Sequence, residues 1–198
     1  MASTARSLAV RAGEAIAAAD WQRAESLLRR LVRTPDAPAQ AAYNLALVLI
    51  ERAKVAQAGA WFAKAVKRDP DYAAAWFEYG RWYLARGDPA KARDAFAATA
   101  RLEPGAEDAR RNLARIAERM GDFEASLAAW RVVERLAGAD DGEAALGTLR
   151  ALLELRRPEA AALKARLWES PATRPSLLKV LTRTSAGSLS LDPERLGG

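Results

Sequence analysis

Apolar side chains recur at helical spacing along this chain, as in Leu27, Leu28 and Leu31 or Leu45 and Leu49, on a background rich in alanine, the residue that costs a helix least. Helices are the regular structure this pattern predicts. The pattern is also punctuated. At Ala85-Arg86-Gly87-Asp88-Pro89-Ala90 one helix stops and another starts: Gly87 suits the left-handed residue that ends a helix, Asp88 the cap of the next, and Pro89 its first turn. Gly121-Asp122 repeats the signal about 34 residues later, and the same shift carries Tyr79-Gly80 onto Leu113-Ala114 and Phe96 onto Trp130. Self-similarity of this length marks stacked helix-turn-helix units rather than one closed core. Function is therefore expected on an extended surface, not in a pocket.

Residues 73–106 carry the fullest set of recurring positions: Trp76, Tyr79, Gly80, Tyr83, Gly87, Asp88, Ala92, Phe96 and Pro104, with Thr99 where alanine is usual. Residues 39–72 supply Leu45, Ala46, Leu49, Ala58, Phe62, Ala65 and Pro70 but lack the first aromatic and the Gly-Asp pair, and residues 107–140 supply Leu113, Ala114, Gly121, Asp122, Ser126 and Trp130. In this register the chain resembles the tetratricopeptide repeat (TPR) family. The resemblance implies an all-α, right-handed α-solenoid of about four to five helix-turn-helix units: a degenerate unit over 5–38, three clearer ones over 39–72, 73–106 and 107–140, and a worn one over 141–170. Residues 1–4 form an N-terminal extension. Small residues such as Ala46, Gly80 and Ala114 sit where paired helices cross, so Trp21, Phe62, Trp76, Phe96 and Trp130 are expected to be packing residues.

Composition narrows the function. The chain has no cysteine and no histidine, which removes thiolate chemistry, disulfides and the commonest general base and metal ligand. No glycine-rich phosphate loop is present, and the carboxylates are scattered over solvated helix faces, so no catalytic residue, cofactor or metal is expected. The net charge of +6 raises a nucleic-acid reading, but 25 acidic residues are interleaved with 31 basic ones, and no basic run exceeds two residues; that reading is disfavoured. All but six of the basic residues are arginine, which with the alanine content suggests a GC-rich bacterial genome. Residues 1–21 lack the core of a secretory signal and the apolar run 45–50 is too short to span a bilayer, which suggests a cytoplasmic protein.

In the TPR family the concave wall is made by the first helix of each unit, and an extended peptide or a partner helix lies along it. Carried over residue by residue, the resemblance gives Tyr43, Asn44 and Leu47, then Phe77, Glu78 and Arg81, then Arg111, Asn112, Arg115 and Arg119 as a partner-binding groove. Asn44 and Asn112 share a repeat position where related proteins bind a peptide backbone, while Glu78 interrupts that series. Arg111, Arg115 and Arg119 recur every four residues on one helix face and, with Arg81, would suit a partner's carboxylates. The lysine, asparagine and arginine set with which some relatives clamp chaperone C-termini is missing. The expected function is that of a non-catalytic adaptor or scaffold for a protein or peptide partner. The alternative is a substrate-recognition module of a larger bacterial transferase.

In the worn unit the corresponding wall, Ala145, Leu146, Leu149, Leu152 and Leu153, is too apolar to stay wet. Pro175, Leu177, Leu178, Val180 and Leu181 are expected to form a capping helix over it, within a segment 171–198 that ends in a linker-like tail. Leu189 and Leu191 of that tail offer anchors for docking in a groove, and the chain could equally continue beyond it. Pairing of two copies through an end unit is compatible with the pattern but not demanded by it.

Overall fold

A computed structural model describes residues 2–138 and 140–184. Every regular element among them is a helix. The chain divides into two compact units at Pro104/Gly105. The first holds α1 (Ala2–Ala17), α2 (Trp21–Leu31), α3 (Ala39–Glu51), α4 (Val55–Arg68), α5 (Ala73–Ala85) and α6 (Pro89–Leu102). The second holds α7 (Glu107–Arg119), α8 (Phe123–Ala137), α9 (Gly142–Glu154), α10 (Glu159–Glu169) and α11 (Arg174–Arg183).

Within each unit, consecutive helices pack in antiparallel pairs, α1 on α2, α3 on α4, α5 on α6, α7 on α8 and α9 on α10, and each pair packs on the next through its neighbouring helices. The turn inside every pair has one construction. A residue with positive φ ends the first helix: Ala19 (53°), Ala53 (57°), Gly87 (74°), Gly121 (74°) and Arg156 (52°). The amide after it reaches back to the helix just completed, as in Asp88 N to Tyr83 O (3.0 Å) and Asp122 N to Ala117 O (2.9 Å). Asp20, Asp88 and Asp122 then cap the second helix by accepting from the amides of Arg23, Lys91 and Ala125. Gly87 and Asp88 thus play the parts the sequence implies. Alanine and arginine hold the same left-handed conformation elsewhere against their steric preference.

The core of the first unit runs from Leu8 through Leu28, Leu45 and Leu49 to Phe62. Glycines admit the large rings: a Cβ on Gly80 would lie 2.9 Å from Phe96, and one on Gly59 would overlap the indole of Trp82. In the second unit Gly147 lies beneath Trp130 in the same way. Phe62, Phe96 and Trp130 are buried, as expected of packing residues. Trp21 and Trp76 are only half-buried; the Trp76 indole donates to Pro70 O (2.8 Å) and keeps one side at the surface.

The expected capping helix is α11. It packs on α9 and α10, and its fully buried Leu177 joins Leu127, Ala145, Leu149, Leu152 and Leu167 in the core of the second unit, with Leu146, Leu153 and Leu181 against it. Leu189 and Leu191 lie outside the described residues.

Candidate functional site

The first unit gathers its predicted groove residues from α3 and α5. Tyr43 and Leu47, one helical turn apart, both lean half-buried on the core. The Tyr43 ring stands 5.1 Å from Tyr72 and 6.3 Å from Phe62, and Phe77 meets the buried Phe96 edge-on at 5.5 Å. Burial pushes the Tyr43 hydroxyl above its ordinary range, the Glu78 carboxylate pushes it further, and Arg81 opposes them. Residues of α3 and α5 thus share one electrostatic neighbourhood. Arg81 donates to both oxygens of Glu78 (3.0 and 3.1 Å), which leaves Arg81 well exposed and Glu78 mostly covered. Asn44 is half-buried on the same helix as Tyr43. Deeper in the unit the Tyr83 and Tyr79 hydroxyls share a hydrogen bond (2.6 Å), and burial raises Tyr79 far above the usual phenol range.

The second unit treats its groove residues differently. Arg111 is not the free cation that the four-residue spacing suggests. Its guanidinium is mostly covered, donates to Glu107, Asp141 and Glu143, and bridges α7 to the start of α9. Hydrogen bonding to Asp141 is the main reason that Arg111 holds its proton more firmly than usual, and the same bond holds the Asp141 carboxyl below the usual aspartate range. Asp141 also caps α9 by accepting from Ala144 N (2.8 Å). Arg115 lies against Glu143, with Nε donating to Oε1 at 3.0 Å. Asn112 turns its amide back to Asp108 O (2.9 Å), and Arg119 is exposed. Periodicity along one helix shows which side chains share a face but not which carboxylates the next pair brings to them.

Two further arrangements were not foreseen. The Trp82 indole lies over Gly59 and donates to Val55 O (2.7 Å), pinning α5 to the start of α4. A cavity of ≈590 Å³ opens among α2, α3 and α4, lined by Val32, Arg33, Ala42, Trp61, Lys64, Lys67 and Arg68. The sequence signal for the cavity was present: Ala42 stands one period before Trp76, so the missing aromatic of residues 39–72 is a missing filler. In the second unit a hollow of ≈420 Å³ lies among α7, α9 and α11, and the charges on its wall are largely paired, Arg115 with Glu143 and Arg150 with Glu118. Among the described residues no helix is long and apolar enough to cross a membrane.

Two family models described as tetratricopeptide repeat match in tandem, one over residues 10–73 and one over residues 73–116. Among solved structures the chain is similar to MamA, with a TM-score of 0.69 at 15% identity over 92% of this chain and 90% of that one. It is also similar to YrrB, described as a TPR protein with an unusual peptide-binding site, with a TM-score of 0.72 at 14% identity over 86% of this chain and 88% of that one. At such identities the likeness is one of fold. No curated protein sequence matches the chain.

Proposed function

We propose that this chain, which belongs to the tetratricopeptide repeat family through residues 10–116, is a non-catalytic interaction protein that holds a peptide or helix of a partner protein on the α3–α5 face of its first unit. Repeats of this family are in general interaction modules, and their stacked helices offer faces rather than enclosed reaction chambers. The observation that carries the reading is the packing of Tyr43 on Tyr72 at the start of α5 (5.1 Å), on the same helix that carries the Glu78–Arg81 pair. Half-buried rings beside a hydrogen-bonding amide and an exposed guanidinium match the usual composition of a recognition surface: rigid apolar anchors with a few polar groups that set orientation.

In this reading Tyr43, Leu47 and Phe77 take apolar side chains of the partner, Asn44 pairs with its backbone, and Arg81 takes a carboxylate. Glu78 holds Arg81 in place and excludes acidic groups from the middle of the face. In the second unit, Arg119 and the outer side of Arg115 remain for acidic groups, whereas Arg111 acts as a structural tie.

The experiment is affinity capture from nuclease-treated native extract, read by mass spectrometry, with the wild-type chain beside Asn44→Ala/Phe77→Ala. A protein retained by the wild type and lost with the double change supports the face. Retention that ignores both changes overturns it, and loss caused by the nuclease alone points to nucleic acid. The fold of the variant is checked by its far-ultraviolet circular dichroism.

A further inference from the structure

The cavity among α2, α3 and α4 has an internal template for its occupant. In the unit's repeat pattern Ala42 corresponds to Trp76, and Val32 on the cavity wall corresponds to Val66. One period on, the site is filled: the Trp76 ring packs on the cluster that contains Val66 and Ala65, and its N–H is satisfied by Pro70 O. At Ala42, itself buried, the side chain is too small to fill the corresponding place, and Trp61, half-buried against the same cluster, walls the hollow that remains. A seat built by the fold for an indole, with an indole missing, is shaped for an aromatic side chain.

The rim supplies the chemistry of what flanks that ring. Arg33 follows the end of α2, Lys67 and Arg68 form the last turn of α4, and Lys64 sets its ammonium 4.0 Å from the centre of the Trp61 ring. All four are exposed, and among the described residues none of them is ion-paired. Among the described residues no carboxylate lines the cavity. Helix C-termini favour cations, which accounts for Lys67 and Arg68 singly. It does not account for Lys64, in the body of α4, or for four like charges, three on α4 and one in the turn after α2, around one hollow. Such a ring attracts anionic groups and gains most when the apolar floor is covered, because water is then excluded from the pairs.

We infer that this cavity is a receptor for an aromatic side chain carried on an acidic segment of a partner protein. The ring lies on Val32 and Trp61 above the buried Ala42, and neighbouring aspartates or glutamates meet Arg33, Lys64, Lys67 and Arg68. The site adjoins the α3–α5 face, since Tyr43 packs on the same cluster as Val32 and Trp61, but none of its charged residues belongs to that face.

The test is selection of a random displayed peptide library on the full chain, with affinities of the enriched peptides then measured by calorimetry. Three variants accompany the wild type: Ala42→Trp, which fills the seat as Trp76 fills its own; Lys67→Glu/Arg68→Glu; and Phe77→Ala/Arg81→Glu on the other face. The expected peptides carry one aromatic residue flanked by Asp or Glu. They lose at least about tenfold in affinity to both Ala42→Trp and the double glutamate, keep their affinity for the Phe77/Arg81 variant, and weaken as salt rises. An unchanged or raised thermal midpoint for Ala42→Trp shows that the loss is not unfolding. Enriched peptides without the aromatic-acidic pattern, failure of any peptide to enrich, or affinity untouched by Ala42→Trp each overturn the proposal. Displacement of the bound peptide by ATP at equal concentration would reassign the cavity to nucleotides.

Discussion

The two units build the same helix pairs and hold them together by different means. In the first, rings run from α3 through α4 to α5: Tyr43 meets Tyr72 and Phe62, Phe62 meets Tyr79, and Tyr79 meets Trp82 and Tyr83, at 4.4–6.3 Å. In the second, the corresponding faces of α7 and α9 are joined by charge, with Arg111 and Arg115 meeting Glu107, Asp141 and Glu143, and Glu118 accepting from Arg150 and from the Trp130 indole. One repeat pattern therefore specifies helix direction and spacing and leaves the cohesion between pairs open. Rings stay sticky toward other molecules, whereas paired charges are already spent on one another.

The sharpest way to break the comparison is to remove a ring from the charged unit. Trp130 is 2% exposed, so Trp130→Ala should cost about 3–5 kcal/mol in chemical denaturation and also take the indole donor from Glu118, which keeps Arg150. The half-exposed Trp76 should cost roughly half as much, and equal losses at the two sites would void the distinction.

Next is the tie itself. Arg111→Ala leaves three carboxylates facing one another and should cost about 2–3 kcal/mol at neutral pH and low salt. Because Asp141 titrates below its ordinary 3.8 in the folded chain, its contribution is present above that value and is lost as pH falls through the folded pKa. The gap between wild type and variant should therefore narrow in acid. A gap that stays constant from pH 7 to about pH 2 would show that Arg111 acts by packing alone.

The first unit has one charged tie of its own, and it sharpens the contrast. Burial alone would raise the Glu25 carboxyl, but Lys54 and Arg29, with Arg52 behind them, outweigh burial and hold it low. Glu25→Gln should cost about 1–2 kcal/mol, since Arg52 (2.6 Å) and Lys54 are partly solvated and can relax into water. A loss as large as that of Arg111→Ala would mean that the first unit depends on charge as much as the second.

The smallest expected change is a gain. Ala53→Gly and Arg156→Gly each relieve a left-handed residue and should stabilise their units by up to about 1 kcal/mol, read as a raised denaturation midpoint.

Much of the fold was legible because repetition multiplies weak signals. Gly87, Asp88, Gly121 and Asp122 mark turns by conformational necessity, Gly80 and Phe96 mark a crossing by size, and the apolar face of α9 called for a cover that α11 provides. For the candidate face the repeat register gave neighbouring places to Tyr43 on α3 and Glu78 on α5, and the Glu78 carboxylate does raise the Tyr43 hydroxyl. The capture of Arg111 was not legible, because Asp141 is first of all a helix cap, and its second role depends on how closely α9 lies to α7. The cavity at Ala42 was visible only as a departure from the pattern. A departure says that something is missing, but not that the surrounding cations would line the gap.

The left-handed residues at the turns have a consequence for how this chain can change. Two of the five are glycine and three are alanine or arginine, yet all five turns close alike. The helix pairs thus impose the bend on the linker, and the linker need not favour it. Only that left-handed position is free to drift, because its neighbours are engaged: Asp20 caps α2, and Arg52 and Lys54 hold Glu25. The turn between α9 and α10, whose Arg157 pairs only at the exposed surface with Glu124, is the natural place to graft a tag, a short epitope or a cleavable segment while the paired helices keep their alignment.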